Sequence, residues 1–159
     1  MGIERNLWKK VREGMAPFWF AQRIETGTSP GVPDVWFVIK DGPSPRPYVP
    51  GASGWIELKA LAAWPKRVGT VVRIPGLKPE QKAWIARAGR LTYRVYLLLQ
   101  VGSGRSADVL LYDWAAVEAL GTLTKPEMLE KVIARWVGRP VDYEDLARLL
   151  AAQEPVFRD

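Results

Sequence analysis

The sequence predicts an α/β protein in which a mixed central sheet is flanked by helices. Three observations support this prediction: an amphipathic pattern at the start of the chain, three short apolar segments after it, and a second helical pattern before two further apolar segments. This order of helix, three strands, helix and two strands is typical of a sheet covered by helices. The 159 residues, 48% of them hydrophobic and 25% charged, suit one globular domain.

The first helix is predicted over residues 3–14, because apolar residues recur every four positions from Ile3 and Gly14 is a plausible helix end. Strands are predicted where aromatic or β-branched residues lie between Gly or Pro. The first three such segments cover residues 18–25, 35–39 and 55–60. Residues 41–53 contain four Pro and two Gly, which predicts a long irregular connection between the second and third strands.

A second helix is predicted to begin at Pro79, which suits a first helical turn, and to end at Gly89. Two strands follow, over residues 94–101 and 108–112. Beyond Asp113 the pattern predicts three helices, over residues 114–120, 125–137 and 142–152, the last with Asp142 as its N-cap. We interpret residues 1–112 as the core and residues 113–159 as a helical C-terminal extension of the same domain.

The chain contains neither Cys nor His, and this absence excludes several kinds of chemistry. Thiol nucleophiles, Cys-ligated metal centres, Ser-His-Asp catalysis and histidine-based nucleases all need a residue that is missing here. Hydrolysis must therefore use carboxylates, Lys, Arg, hydroxyls and a hard metal ion. The net charge of +6 and the pI near 9.7 favour polyanionic partners.

The apolar runs are all far shorter than the roughly 18 residues that a membrane span requires. The N-terminal residues are charged and amphipathic, with no apolar signal core. We therefore expect an intracellular, cytoplasmic protein without a membrane partner. Arg outnumbers Lys and the chain has a single Asn, which indicates a thermophilic source.

The most informative side chains are Asp34, at the start of the second predicted strand, and Glu57 and Lys59 in the third. Strand alternation places Glu57 and Lys59 together on one face, opposite Ile56 and Leu58. Asp34 lies beside Glu57 if the two strands pair. Two convergent carboxylates suit Mg²⁺, which takes oxygen ligands and is usually bound by one or two carboxylates plus substrate phosphate. A Glu-x-Lys pair alone is common on solvated strands, but its combination with Asp34 favours a site.

This combination resembles the PD-(D/E)XK nuclease superfamily, whose signature is matched by Pro33-Asp34 and Glu57-Leu58-Lys59. The resemblance covers about residues 3–112 and implies an αβββαβ, restriction-endonuclease-like core. Within the superfamily the sequence is most similar to archaeal-type Holliday junction resolvases. Those proteins have a metal-binding Glu in an N-terminal Glu-Arg-x-Leu helix, matched by Glu4-Arg5-Asn6-Leu7, and a Gly-Ser loop preceded by Arg, which resembles Gly27-Thr28-Ser29 with Arg23.

The resemblance implies a Mg²⁺-dependent endonuclease that resolves four-way DNA junctions, with Mn²⁺ able to substitute and no organic cofactor. It assigns the metal to Glu4, Asp34, Glu57 and Leu58, and makes Lys59 the catalytic cation beside an attacking water. Symmetric cleavage of a junction implies a homodimer with two active sites. We expect basic side chains to contact DNA phosphates, and the resemblance adds Arg23 and the loop residue Ser29. The full set is Arg5, Lys9, Arg12, Arg23, Ser29, Lys66 and Arg67.

A second resemblance is to VRR-NUC-type members of the same superfamily, carried by residues 31–34 and by the run from Pro79 to Ile85. In those proteins a helical Gln completes the catalytic site, and Gln81 matches it. Gln81 is equally well explained as a first-turn residue that bonds free backbone donors.

Two further functions stay open at this point. One is a nuclease that acts on flaps, ends or single strands, and the other is a non-catalytic DNA-binding module. Trp64 is the candidate for stacking on a DNA base, because its segment is irregular and basic.

Overall fold

The computed structural model describes residues 2–24, 30–40, 51–92 and 94–151. In these residues the helices are α1 (Gly2–Met15), α2 (Pro79–Thr92), α3 (Trp114–Val117), α4 (Lys125–Glu130) and α5 (Tyr143–Leu150), with one 3-10 turn at Gly104–Ser106. The strands are β1 (Trp19–Arg23), β2 (Val35–Ile39), β3 (Ser53–Leu61), β4 (Val95–Val101), β5 (Asp108–Asp113) and β6 (Ala134–Trp136). The predicted order of helix, three strands, helix and two strands is confirmed.

The strands form one six-stranded mixed sheet within the described residues, and their order in the sheet is their order in the chain. β3 and β4 are parallel and are connected through α2, while the other neighbouring strands are antiparallel. A parallel pair needs such a crossover. Helices α3 and α4 lie between β5 and β6 in the chain. The predicted fold class, a mixed sheet flanked by helices, is confirmed.

The sheet has two covered faces, because its central strands are apolar on both sides. We call them the α1 face and the α2 face. On the α1 face, Leu7 and Val11 of α1 and Leu146 of α5 pack on buried strand residues such as Ile56 and Leu98. The core of the α2 face contains the buried residues Ile85, Leu97, Leu99, Tyr112 and Val117. Strand β4 is buried along its whole length, as a strand covered on both faces must be.

Both glycines that were predicted to end helices serve packing instead. Helix α2 continues past Gly89 to Thr92, and a Cβ on Gly89 would lie 2.2 Å from the Trp114 side chain. Gly14 lies within α1, and a Cβ there would lie 2.3 Å from the Tyr143 ring. Because glycine has no side chain, an aromatic ring from another part of the chain can pack directly on the helix backbone at each position. The prediction that Gly89 closes the second helix is therefore wrong.

The predicted helix over residues 125–137 is also wrong in its second half. The helix ends at Glu130, and Ala134–Trp136 adds a sixth strand antiparallel to β5. Trp136 pairs with Val109 and is 1% exposed, in the core of the α1 face. Two tertiary interactions favour a strand here over the local helical pattern. The backbone of residues 134–136 pairs with the edge of β5, and the Trp136 indole packs between α5 and the sheet.

Helix α5 begins as predicted, with the Asp142 carboxylate accepting a hydrogen bond from the backbone N–H of Asp145 at 3.1 Å. It ends at Leu150, and Ala152 lies outside the described residues. The predicted loop Gly27-Thr28-Ser29 and most of the predicted 41–53 connection also lie outside them. None of the helices in the described ranges combines the length and the apolar character needed to cross a bilayer.

Candidate active site

The pairing of β2 with β3 brings Asp34 to Glu57. Val35 is paired with Ile56 in an antiparallel register, so the residue before Val35 lies beside the residue after Ile56. Ile56 and Leu58 point into the core of the α1 face, and Glu57 and Lys59 therefore project toward α2. The predicted alternation of β3 is confirmed.

Two reciprocal hydrogen bonds join these neighbouring strands, and we call them the carboxylate clasp. The backbone N–H of Asp34 donates to Glu57 Oε2 at 3.1 Å. In the other direction, the backbone N–H of Leu58 donates to Asp34 Oδ2 at 3.1 Å. Each carboxylate is thus oriented by the backbone of the other's strand, which fixes the two acidic groups relative to each other.

The other carboxylate oxygen of Glu57, Oε1, contacts the Lys59 ammonium group and the Gln81 side-chain amide. Lys59 Nζ lies 2.9 Å from Glu57 Oε1, and Gln81 Nε2 donates to the same oxygen at 3.0 Å. The side chain of Glu57 is 0% exposed and that of Lys59 is 6% exposed. When Glu57 is ionised, this contact is a buried ion pair, in which each charge depends on its partners because little water reaches them.

Gln81 makes contacts that are compatible with both interpretations of its sequence position. Its Oε1 accepts a hydrogen bond from the backbone N–H of Lys78 at 3.1 Å, just before α2 begins. Its Nε2 donates to Glu57. The helix start therefore holds the amide, and the amide in turn holds the Glu57 carboxylate.

The environment of Glu57 raises the pKa of its carboxyl from 4.5 to about 7. Burial is the largest cause, and the nearby negative charge of Asp34 adds to it, while the charge and hydrogen bond of Lys59 act in the opposite direction. A carboxyl with a pKa near neutrality, paired with a second acidic group, is typical of functional sites.

We expect the metal-free protein to be less stable at about pH 8 than at about pH 5, by roughly 2–3 kcal/mol, because of Glu57. The carboxyl titrates near 4.5 when unperturbed but keeps its proton to about pH 7 in the folded state. Between these values the folded state binds more protons, so the free energy of unfolding falls as the pH rises. Urea unfolding in the presence of a chelator, repeated across this pH range, measures the slope.

The control for this measurement is Glu57→Gln, which keeps the shape of the side chain but cannot ionise. We expect its free energy of unfolding to vary less with pH over the same window. An equal slope in the two proteins would contradict the assignment of this titration to Glu57.

Asp34 and Glu57 fit the donor set of a hard divalent cation. Both offer carboxylate oxygens, and an oxygen that already accepts one hydrogen bond retains a second lone pair. Their repulsion, which contributes to the raised pKa of Glu57, is the interaction that a cation between them removes. The side chain of Leu58 is buried and apolar, so its predicted metal contact is possible only through the backbone carbonyl.

Glu4 does not join the two acidic residues in a group of three. Across residues 2–24, 30–40, 51–92 and 94–151, no three acidic side chains come close enough to share a metal ion. Glu4 is half-buried in the first turn of α1. Its predicted role as a metal ligand stays a prediction, and the described site is a carboxylate pair.

The predicted DNA contacts that lie in the described residues are exposed, and those on α1 lie on the opposite face of the sheet from Glu57. Arg5, Lys9 and Arg12 are exposed residues of α1, which covers the sheet face opposite Glu57. Arg23 is exposed at the end of β1, and Lys66 and Arg67 are exposed in the segment after β3, while Ser29 lies outside the described residues.

The structure does not favour Trp64 as a base-stacking residue. Its indole N–H donates to Asp108 Oδ2 at 2.8 Å, and the Lys125 ammonium lies 5.0 Å from the ring centroid. The ring also packs against the core of the α2 face. These contacts anchor the indole in the fold, which corrects the sequence-based expectation.

The sequence did not indicate two residues on the side of the sheet that carries Glu57 and Lys59, namely Gly76 and Phe20. A Cβ on Gly76 would lie 3.6 Å from Lys59 Nζ, and its φ of +77° favours glycine, so this turn leaves room beside the ammonium. The Pro75-Gly76 dipeptide is the sequence signal that could have indicated this turn.

Phe20 is 59% exposed and contacts Trp36 edge to face, on the same sheet face as Glu57. Its alternation with buried Trp19 was the available signal.

Comparisons with protein-family models, with curated proteins and with solved structures found no match for this chain.

Proposed function

We propose that this protein is a divalent-metal-dependent DNA endonuclease. The observation that carries the proposal is the contact of Asp34, Glu57 and Lys59 across two adjacent strands, with Lys59 Nζ 2.9 Å from Glu57 Oε1. Two oriented carboxylates and one buried ammonium supply what phosphodiester hydrolysis needs from a chain without His or Cys. The motif resemblance to PD-(D/E)XK nucleases supports the same reaction.

In this proposal, Asp34 and Glu57 hold Mg²⁺, with the backbone of Leu58 beside them, and Mn²⁺ substitutes for it. When bound, such an ion polarises the phosphate and lowers the pKa of a coordinated water. Lys59 offsets negative charge that develops on the phosphate oxygens and orients the attacking water. Gln81 keeps the Glu57 carboxylate in one orientation through the 3.0 Å hydrogen bond.

The proposed substrate is branched DNA, a four-way junction. This part of the proposal is supported by the likeness of Glu4-Arg5-Asn6-Leu7 to the resolvase helix. Two equivalent cuts in a junction need two sites, so the protein would act as a homodimer. The pI near 9.7 favours such a polyanionic partner.

The contact between Gln81 and Glu57 favours a second candidate. A helical Gln at the catalytic site is the feature that resembles VRR-NUC-type nucleases, and here the amide bonds one of the two carboxylates directly. The second candidate is therefore a nuclease with the same chemistry that acts on flaps, ends or single strands during repair or replication.

The deciding experiment compares metal-dependent cutting of a four-way junction, a flap, a linear duplex and a single strand. Preferential cutting of the junction supports the resolvase proposal, and preferential cutting of flaps or single strands supports the second candidate. Equal cutting of all four substrates would contradict the proposed selectivity for branched DNA. Binding without cutting, with Mg²⁺ or Mn²⁺ supplied, would identify a non-catalytic DNA-binding module instead.

We expect a chelator to abolish cutting and added Mg²⁺ or Mn²⁺ to restore it, because the proposed reaction uses a metal ion in addition to the Lys59 ammonium that contacts Glu57. Binding of the same DNA should persist in the chelator, since phosphate contacts supply most of the affinity. Gel shift and cleavage assays on the same samples separate the two effects. Cutting that continues in excess chelator would contradict a metal-dependent mechanism.

Gln81→Ala is expected to lower the cleavage rate by about tenfold, since a misoriented carboxylate positions the reacting groups less well. The matched control is Glu80→Ala, which removes the neighbouring exposed side chain of α2 and should leave the rate unchanged. Single-turnover kinetics with saturating protein measure the rate. Equal rates for the two variants would show that the Gln81 amide has no part in the reaction.

A further inference from the structure

A cavity of about 230 Å³ lies on the α1 face, away from the carboxylate pair. It is bounded by α1, by the ends of β4 and β5, and by the segment that leads into α5. Most of its wall is apolar and includes Leu7, Val11, Val109, Val141 and Tyr143. Its volume is below the roughly 300–1,000 Å³ of pockets for drug-sized ligands, so it suits a group the size of one ring system.

One polar side chain in this wall has an unused acceptor. Gln100 is 2% exposed, and its Nε2 donates to the Gly102 carbonyl at 2.9 Å. Because a carbonyl oxygen can only accept, this bond fixes the orientation of the amide. Gln100 Oε1 is buried and accepts no hydrogen bond from the described residues. A buried acceptor in this state costs free energy, which a ligand with an N–H or O–H group would recover.

Cationic side chains surround the same cavity. Lys10, Arg105 and Arg139 line it, and no acidic residue is among its described lining residues. Lys10 and Gln100 also line an adjoining cavity of about 370 Å³, which adds Lys9 and one acidic residue, Glu13. The two spaces together offer an apolar interior with one acceptor, next to an excess of positive charge.

We propose that this cavity binds a nucleotide, with its base among the apolar walls and its phosphate on Lys10, Arg105 and Arg139. Every nucleobase carries an N–H group that can donate to Gln100 Oε1. The Tyr143 ring in the wall provides an aromatic surface for the base, and Arg is well suited to phosphate. The source is either a free mononucleotide or an unpaired nucleotide of a DNA strand. This binding site does not depend on the proposed nuclease activity.

The test measures binding of the four deoxynucleoside monophosphates to the full chain by calorimetry, with the matching nucleosides and inorganic phosphate as comparisons. We expect at least about tenfold weaker binding of nucleosides and of phosphate alone, because each lacks one half of the interaction. Gln100→Met, which matches the side chain in length, and Arg139→Ala, at an exposed position, should each weaken nucleotide binding about tenfold.

The matched control is Arg90→Ala, an exposed arginine of α2 that does not line the cavity, and it should bind nucleotides normally. A short single-stranded oligonucleotide distinguishes the two sources. If it binds more tightly than the monophosphates and loses affinity in Gln100→Met, the source is DNA. If only the monophosphates depend on Gln100, the source is the free nucleotide. Absence of nucleotide binding, or binding that neither cavity variant weakens, would overturn the proposal.

Discussion

Asp34→Asn is expected to lower metal-dependent DNA cleavage at least about a hundredfold while DNA binding persists. The substitution keeps the size of the side chain but removes the charge that, in the proposed site, holds a divalent ion together with Glu57. Glu57→Gln is expected to have the same effect, because the two carboxylates act as a pair. Single-turnover cleavage and gel-shift titration on one DNA substrate measure the rate and the affinity separately.

The matched control for both variants is Glu80→Gln, which neutralises an exposed carboxylate at the start of α2. Its cleavage rate should equal that of the unsubstituted protein. Near-normal cleavage by Asp34→Asn and by Glu57→Gln together would rule out this pair as the catalytic site. Loss of binding along with cleavage would instead indicate that the carboxylates support the DNA-binding surface.

Trp136→Ala is expected to lower the free energy of unfolding by about 3–5 kcal/mol, the range for removing a large buried aromatic side chain. Trp136 is 1% exposed and shares a core with Leu146 and Leu150 of α5. Its loss removes contacts of both the sixth strand and the C-terminal helix. Urea unfolding followed by circular dichroism measures the change.

Arg135→Ala is the matched control, since Arg135 precedes Trp136 in β6 but is exposed. We expect its stability to change by less than about 0.5 kcal/mol. If both variants lose the same small amount of stability, the Trp136 indole is not a main source of stability. The contribution of β6 would then come from its backbone pairing with β5, which both substitutions keep.

The part of the site that the sequence predicted depends on short-range rules. Strand alternation places Glu57 and Lys59 on one face without any knowledge of the rest of the chain. Asp34 required only one further assumption, that β2 pairs with β3, as strands that follow each other in the sequence commonly do. The position of Gln81 on the inward stripe of α2 followed from helical spacing in the same way.

The parts that the sequence did not predict depend on contacts between distant residues. Gly89 resembles a helix end until Trp114 is known to occupy the space beside it. Residues 134–136 follow a helical pattern locally, and only the free edge of β5 makes them a strand. Likewise, the basic segment around Trp64 suggested a free aromatic ring, because its hydrogen-bond partner Asp108 is 44 residues away.

The carboxylate clasp has a consequence for how ligands bind. Side chains that rotate freely must lose that freedom on binding, which weakens the interaction. Here the backbone N–H groups of Asp34 and Leu58 already immobilise both acidic groups. The pairing of the two strands thus preorganises the carboxylates. The spacing between them is set by the sheet and does not need a bound ligand.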